Sequence, residues 1–86
     1  MRGTIYKTFE RNAGFFFVKG EDGEVYYANR KSVAYTDTIT RSMIRKDLTK
    51  FVIEGRHIQF DLTNNNPDIE RHPDRPYIAV NIRFED

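Results

Sequence analysis

Two groups of residues in this sequence could do chemistry. Asp68, Glu70, His72 and Asp74 cluster in one short stretch. Carboxylates beside an imidazole suit metal binding or general acid–base work. Their pattern follows no recognised ligand spacing, and Arg71, Arg75, Pro67 and Pro73 among them make the stretch read as an exposed charged loop. His57 reads as an exposed strand residue. With no cysteine in the chain there is no disulfide, thiolate metal site or cysteine nucleophile. No Walker-type loop, nucleophile elbow or zinc pattern occurs. A catalytic centre, a metal and a cofactor are therefore not expected. The second group is aromatic. Seven Phe and five Tyr with no Trp is a high content for 86 residues, and these rings crowd the stretch from Tyr6 to Tyr27. Their chemistry is stacking against planar or apolar partners.

Length and charge bound what can position them. Eighty-six residues suit a single domain, 1–86. A domain of this size buries only about 60–65% of its unfolded surface, so its core is thin. A net charge of +1 does not announce a polyanion binder, so any such affinity must rest on local basic placement and stacking. The N-terminal residues lack a continuous apolar leader region, and no stretch approaches the ~20 apolar residues of a membrane span. A soluble cytoplasmic protein without a membrane partner is the expectation.

The elements follow from alternation and turn signals. Residues 3–9, 14–19 and 24–29 read as three strands rich in Thr, Ile, Val, Tyr and Phe, with Glu10-Arg11-Asn12-Ala13 as a turn. Gly20-Glu21-Asp22-Gly23 joins the second and third strands as a hairpin loop with an Asp-Gly signal. From Thr38 a helix is expected, capped by Asp37 or Thr38, with Ile39, Met43 and Ile44 on one side and Arg41, Arg45 and Lys46 on a solvated or basic face. Ile58, Phe60 and Leu62 alternate inward in a fourth strand over 57–62. Ile78, Val80, Ile82 and Phe84 share one face of a fifth over 77–84. Asn64 to Arg75 reads as a long exposed loop. Five short strands, with a short helix or long loop after the third, match an all-β Greek-key barrel of the OB type, which uses its second and third strands to hold oligonucleotides.

Strand alternation then sorts the rings. Phe15, Phe16 and Phe17 cannot all face the core. An inward Val18 puts Phe16 inward and Phe15 and Phe17 outward. An outward Glu24 puts Tyr26 outward, with Val25 and Tyr27 inward. Exposed rings of this kind need a partner. A nucleobase is one; a covering segment near Tyr35 or Tyr77, or a protein surface, are the alternatives. Lys7, Lys19, Arg30 and Lys31 lie beside the aromatic strands in sequence, either to meet phosphates or as solvated surface charge. Asn29 either reads a base edge or ends the strand.

Four motifs in register resemble the cold-shock domain family. That family opens on a pattern like G-T-V-K-W-F-N-x-x-K-G-F-G-F-I; here Gly3-Thr4-Ile5 and Gly14-Phe15-Phe16-Phe17-Val18 take its place with one extra residue between them. Its D-V-F-V-H is similar to Glu24-Val25-Tyr26-Tyr27-Ala28, its E-G-Q-x-V-x-F to Glu54-Gly55-Arg56-His57-Ile58-Gln59-Phe60, and its G-P-x-A-x-N-V to Pro76-Tyr77-Ile78-Ala79-Val80-Asn81-Ile82. The resemblance implies a five-stranded barrel that binds single-stranded RNA or DNA, with Phe15, Phe17 and Tyr26 as stacking positions, and an RNA-chaperone or regulatory role. The departures are specific. Tyr6 or Lys7 stands nearest the family's Trp, Ala13 replaces a Lys, Ala28 replaces a His, and Phe16 and Tyr27 enlarge positions expected to face inward. The segments 30–50 and 63–76 are longer than in the family's short form.

The expected function is therefore binding of single-stranded nucleic acid with low sequence specificity, on Tyr6, Lys7, Phe15, Phe17, Lys19, Tyr26, Asn29, Arg30 and Lys31. The alternative is an aromatic face that binds a protein or a second copy of the chain in a homodimer.

Overall fold

The computed structural model describes residues 1–9, 14–34, 50–64, 70, 73–74 and 76–85. Five strands are present: β1 Arg2–Lys7, β2 Phe15–Gly20, β3 Val25–Asn29, β4 His57–Thr63 and β5 Ile78–Phe84. They close into a barrel in the order β1-β2-β3-β5-β4, with β4 pairing back onto β1. Every neighbouring pair is antiparallel except β3 and β5, which meet in parallel at one position, Tyr27 opposite Ile78. This is the OB-type Greek-key barrel that the strand pattern predicts. The strands lie within a residue or two of their expected bounds. The predicted 10–13 turn, the helix from Thr38 and Tyr35 lie outside the described residues, as does most of the 64–75 loop.

Inward positions of the strands form the core. Ile5, Phe16, Val18, Ala28, Ile58, Phe60, Ala79 and Ile82 are at most 1% exposed. Phe16 is the expected inward ring, and its bulk is absorbed by small neighbours: Ala28 lies directly across from it in the β2–β3 pairing. A large side chain opposite a small one is how a narrow barrel fills without strain. Gly3 does the same for Phe60. A Cβ at position 3 would run into the backbone carbonyl of Lys19 and approach the Phe60 ring to 3.0 Å.

Two bulges shape the sheet. The β1–β2 register shifts by one residue between Ile5 and Lys7. The β4–β5 register shifts between Gln59 and Asp61, and Asn81 lies in the resulting bulge at φ 52. Asparagine tolerates this left-handed conformation better than a branched residue would, and its amide donates to Asp61 Oδ2 at 2.9 Å. One end of the barrel is closed by residues 50–56. Val52 is buried, Gly55 N–H donates to the Ile5 carbonyl at 2.8 Å, and the Arg56 guanidinium lies 4.1 Å from the Phe84 ring centroid.

Because the Gly3 contact is with backbone, no rotamer change can relieve it. Gly3→Ala is expected to lower the unfolding free energy by about 1–3 kcal/mol, the usual cost of overpacking. Urea denaturation checks this, and an unchanged midpoint would contradict the close approach.

Candidate nucleic-acid interface

The outer face of β1, β2 and β3 is built by register. Val18 and Phe16 point inward, so Phe15, Phe17 and Lys19 point outward. Their cross-strand partners on β3 are Asn29, Tyr27 and Val25 in that order, and partners in a sheet share a face. On β1 the bulge re-aims the chain: Lys7 pairs with Phe17, so both Tyr6 and Lys7 reach the outer side. The sequence left Tyr6 and Lys7 as alternatives for one position, and the extra residue presents both.

Four rings cluster there. Phe15 and Tyr27 stack with centroids 5.8 Å apart and planes 19° apart. Phe17 meets Phe15 at 6.2 Å and Tyr27 at 6.3 Å, edge-on to both. Phe9 lies 4.6 Å from Phe15 and 5.7 Å from Phe17. Each such pair contributes roughly 0.5–1.5 kcal/mol beyond its buried area, which offsets part of the cost of an apolar patch at the surface. All four rings are half-buried, so each keeps some open surface.

Cations border the rings. Lys7 Nζ lies 5.6 Å from the Phe9 centroid and Lys19 Nζ lies 5.8 Å from the Tyr6 centroid. Tyr6 itself is 52% exposed. The Arg30 guanidinium passes over Gly14, within 3.1 Å of where a Cβ would stand, next to Phe15. These ammonium and guanidinium groups give the border of the ring cluster a positive local charge. Lys31 is exposed on the short 3-10 turn Arg30–Ser32, directly after β3. Asn29 caps that turn: its Oδ1 accepts from Lys31 N–H at 2.9 Å and from Ser32 Oγ at 3.3 Å. Of its two expected roles, ending the strand is the one the structure displays.

Tyr26 requires a correction. The sequence put it outward and Tyr27 inward; the structure reverses them. Tyr26 pairs with inward Val18, packs against the core and lies 6.0 Å from the Phe60 ring. Glu24 precedes β3 and belongs to the turn, so its exposure does not set the parity of the strand. The hairpin loop is Glu21-Asp22-Gly23: Gly23 N–H donates to the Gly20 carbonyl at 3.0 Å, Gly20 N–H to the Glu24 carbonyl at 2.9 Å, and Gly23 takes φ 82. A three-residue loop with glycine in its left-handed position pairs residue 20 with 24, and hence 18 with 26. A four-residue loop slips that pairing by one and flips every β3 side chain. Phe9 is the other ring missed, because nothing in the sequence locates the β1 bulge that turns it outward.

No family model and no curated protein matches the chain.

Acidic groups gather on the other side of β3. Asp22 Oδ1 accepts from Glu24 N–H at 3.0 Å, and Asp22 Oδ2 accepts from the Tyr26 hydroxyl at 2.5 Å. The hydrogen bond from Tyr26, followed by that from the Glu24 backbone, holds the Asp22 carboxyl below its ordinary value. The same bond to Asp22, then burial, pushes the Tyr26 phenol from 10.0 up to about 12. Glu70 and Asp74 are the members of the carboxylate–histidine stretch among the described residues, and within those residues no group of three or more His, Asp or Glu converges on a metal position.

The phenol is held protonated in the folded state more tightly than in the unfolded chain. Its contribution to stability is therefore full below about pH 10 and is lost as pH rises toward 12. Phenolate absorbance is expected to show Tyr26 ionising near pH 12, and Asp22→Asn to return it toward 10. A Tyr26 that titrates with the other tyrosines in the wild type would contradict the bond.

Proposed function

We propose that this barrel binds single-stranded RNA or DNA by stacking bases on Phe15, Phe17, Tyr27 and Phe9, with Tyr6, Lys7, Lys19 and Arg30 alongside. The observation that carries this reading is the joint placement of four half-buried rings and bordering cations on one face of the barrel. Rings of that kind accept any base, because every base has a π-face, and the contact contributes roughly 1–3 kcal/mol per base. Ammonium and guanidinium groups add a salt-sensitive term. The Asn29 Oδ1 on this face is already engaged by Lys31 N–H and Ser32 Oγ, which fits low sequence specificity.

The resemblance to cold-shock domains supports the same reading. Tyr27 rather than Tyr26 lies opposite Phe17 on the ring face, so the stacking role that the resemblance implies for Tyr26 passes to Tyr27 in this proposal. Function by binding alone, without a cofactor or a catalytic step, and a role in keeping RNA unpaired both follow from that likeness. The ring cluster also favours a second reading, in which two copies of the chain associate through this face, since aromatic anchors dominate protein interfaces.

Titration with oligo-dT and oligo-U, followed by tyrosine fluorescence, tests the proposal. Saturable binding at low salt is expected, and its absence would overturn it. Phe15→Ala with Phe17→Ala is expected to weaken binding by about 2–5 kcal/mol in a folded protein. Tyr26→Phe, on the opposite face, is expected to leave it unchanged. If both variants bind like wild type, the site lies elsewhere. Sedimentation of free and bound protein separates the second reading, which requires a dimer that the double substitution dissolves.

A further inference from the structure

The acidic side of β3 borders a cleft that the platform does not use. Because β3 and β5 pair at one position only, the chain leading into β5 diverges from the first half of β3 and leaves a gap between them. Glu24, Val25, Tyr26, Asp74, Pro76 and Tyr77 line it, around a volume of about 480 Å³. That lies within the ~300–1,000 Å³ of pockets that hold small ligands or side chains.

Its walls are specific in kind. Tyr77 is 50% exposed although it is a large ring. Tyr26 is held in place from two directions, by its hydroxyl on Asp22 and by its ring against Phe60. Neither the Glu24 nor the Asp74 side chain has an ion-pair or hydrogen-bond partner among the described residues. Among the described residues, two carboxylates without partners stand beside two tyrosine faces, a setting that favours a cation over a phosphate. A guanidinium suits such walls better than an ammonium, since it is flat, stacks on a ring and presents a fork of N–H groups to a carboxylate.

We infer that the cleft is a docking site for an arginine side chain of a partner protein, engaged by Glu24 and Asp74 at its fork and by Tyr26 and Tyr77 at its faces. The occupant differs in charge from a nucleic acid on the platform.

An Arg-Gly repeat hexapeptide is the probe, titrated into the isotope-labelled full chain and followed by amide chemical shifts. Saturable shifts at Glu24, Tyr26, Asp74 and Tyr77 are expected, with a Lys-Gly peptide at least several-fold weaker. Glu24→Gln with Asp74→Asn is expected to weaken the arginine peptide by about tenfold or more, and Tyr77→Ala by a similar factor. Both variants should keep wild-type affinity for oligo-dT, which separates failure here from failure of the platform. No shifts, shifts centred on Phe15 and Phe17, equal binding of the lysine peptide, or an unaffected double variant would each overturn the assignment.

Discussion

Phe16 stands fully buried opposite Ala28, and the side on which every neighbouring ring points depends on that contact. Side chains alternate along a strand, so one inward phenylalanine in a run of three drives the other two outward. Cross-strand pairing then carries the same parity to β3 and β1. Tyr27 joins Phe17, Tyr26 joins Val18, and beyond the β1 bulge Lys7 meets Phe17. The aromatic face is thus the geometric complement of the core. A single methyl at Ala28 leaves room for the ring that sets it.

The opposed faces of β3 differ in charge as well as in chemistry. Outward, Tyr27 belongs to a ring cluster bordered by Lys7, Lys19 and Arg30. Toward the hairpin and the cleft, Tyr26 is tied to Asp22, with Glu24 and Asp74 nearby. A net charge of +1 does not report this local difference. Net charge constrains solubility and long-range steering, whereas local placement decides which partner a surface accepts.

Much of this architecture is legible in the residues. Ile58 and Phe60 place β4, and Phe16 and Val18 fix the polarity of β2. The expected common face of Ile78, Val80, Ile82 and Phe84 on β5 does not hold, because the bulge at Asn81 switches sides: Ala79, opposite Leu62, faces the core with Ile82, and Val80, opposite Asp61, does not. The faces of β3 are not legible from hydropathy, since Tyr26 and Tyr27 are the same residue type. The hairpin could have decided them: Asp22-Gly23 followed by Glu24 fits a three-residue loop with its glycine in the left-handed position, and that loop length sets the pairing. The β1 bulge has no comparable mark. An extra residue relative to the cold-shock pattern hints that something is inserted, but not that it brings Tyr6, Lys7 and Phe9 to one side. Asn81 belongs to the same class, because its left-handed backbone follows from the β4–β5 register and from nothing in its neighbours.

The most direct measurement is of the rings themselves. Side-chain aromatic resonances, assigned and followed while oligo-dT is added, report which rings a base covers. Binding on the outer face predicts that Phe9, Phe15, Phe17 and Tyr27 shift together and saturate together, while Tyr26 and Phe60 stay in place. Shifts at Tyr26 without Tyr27, or saturable binding that moves none of the four, would contradict it.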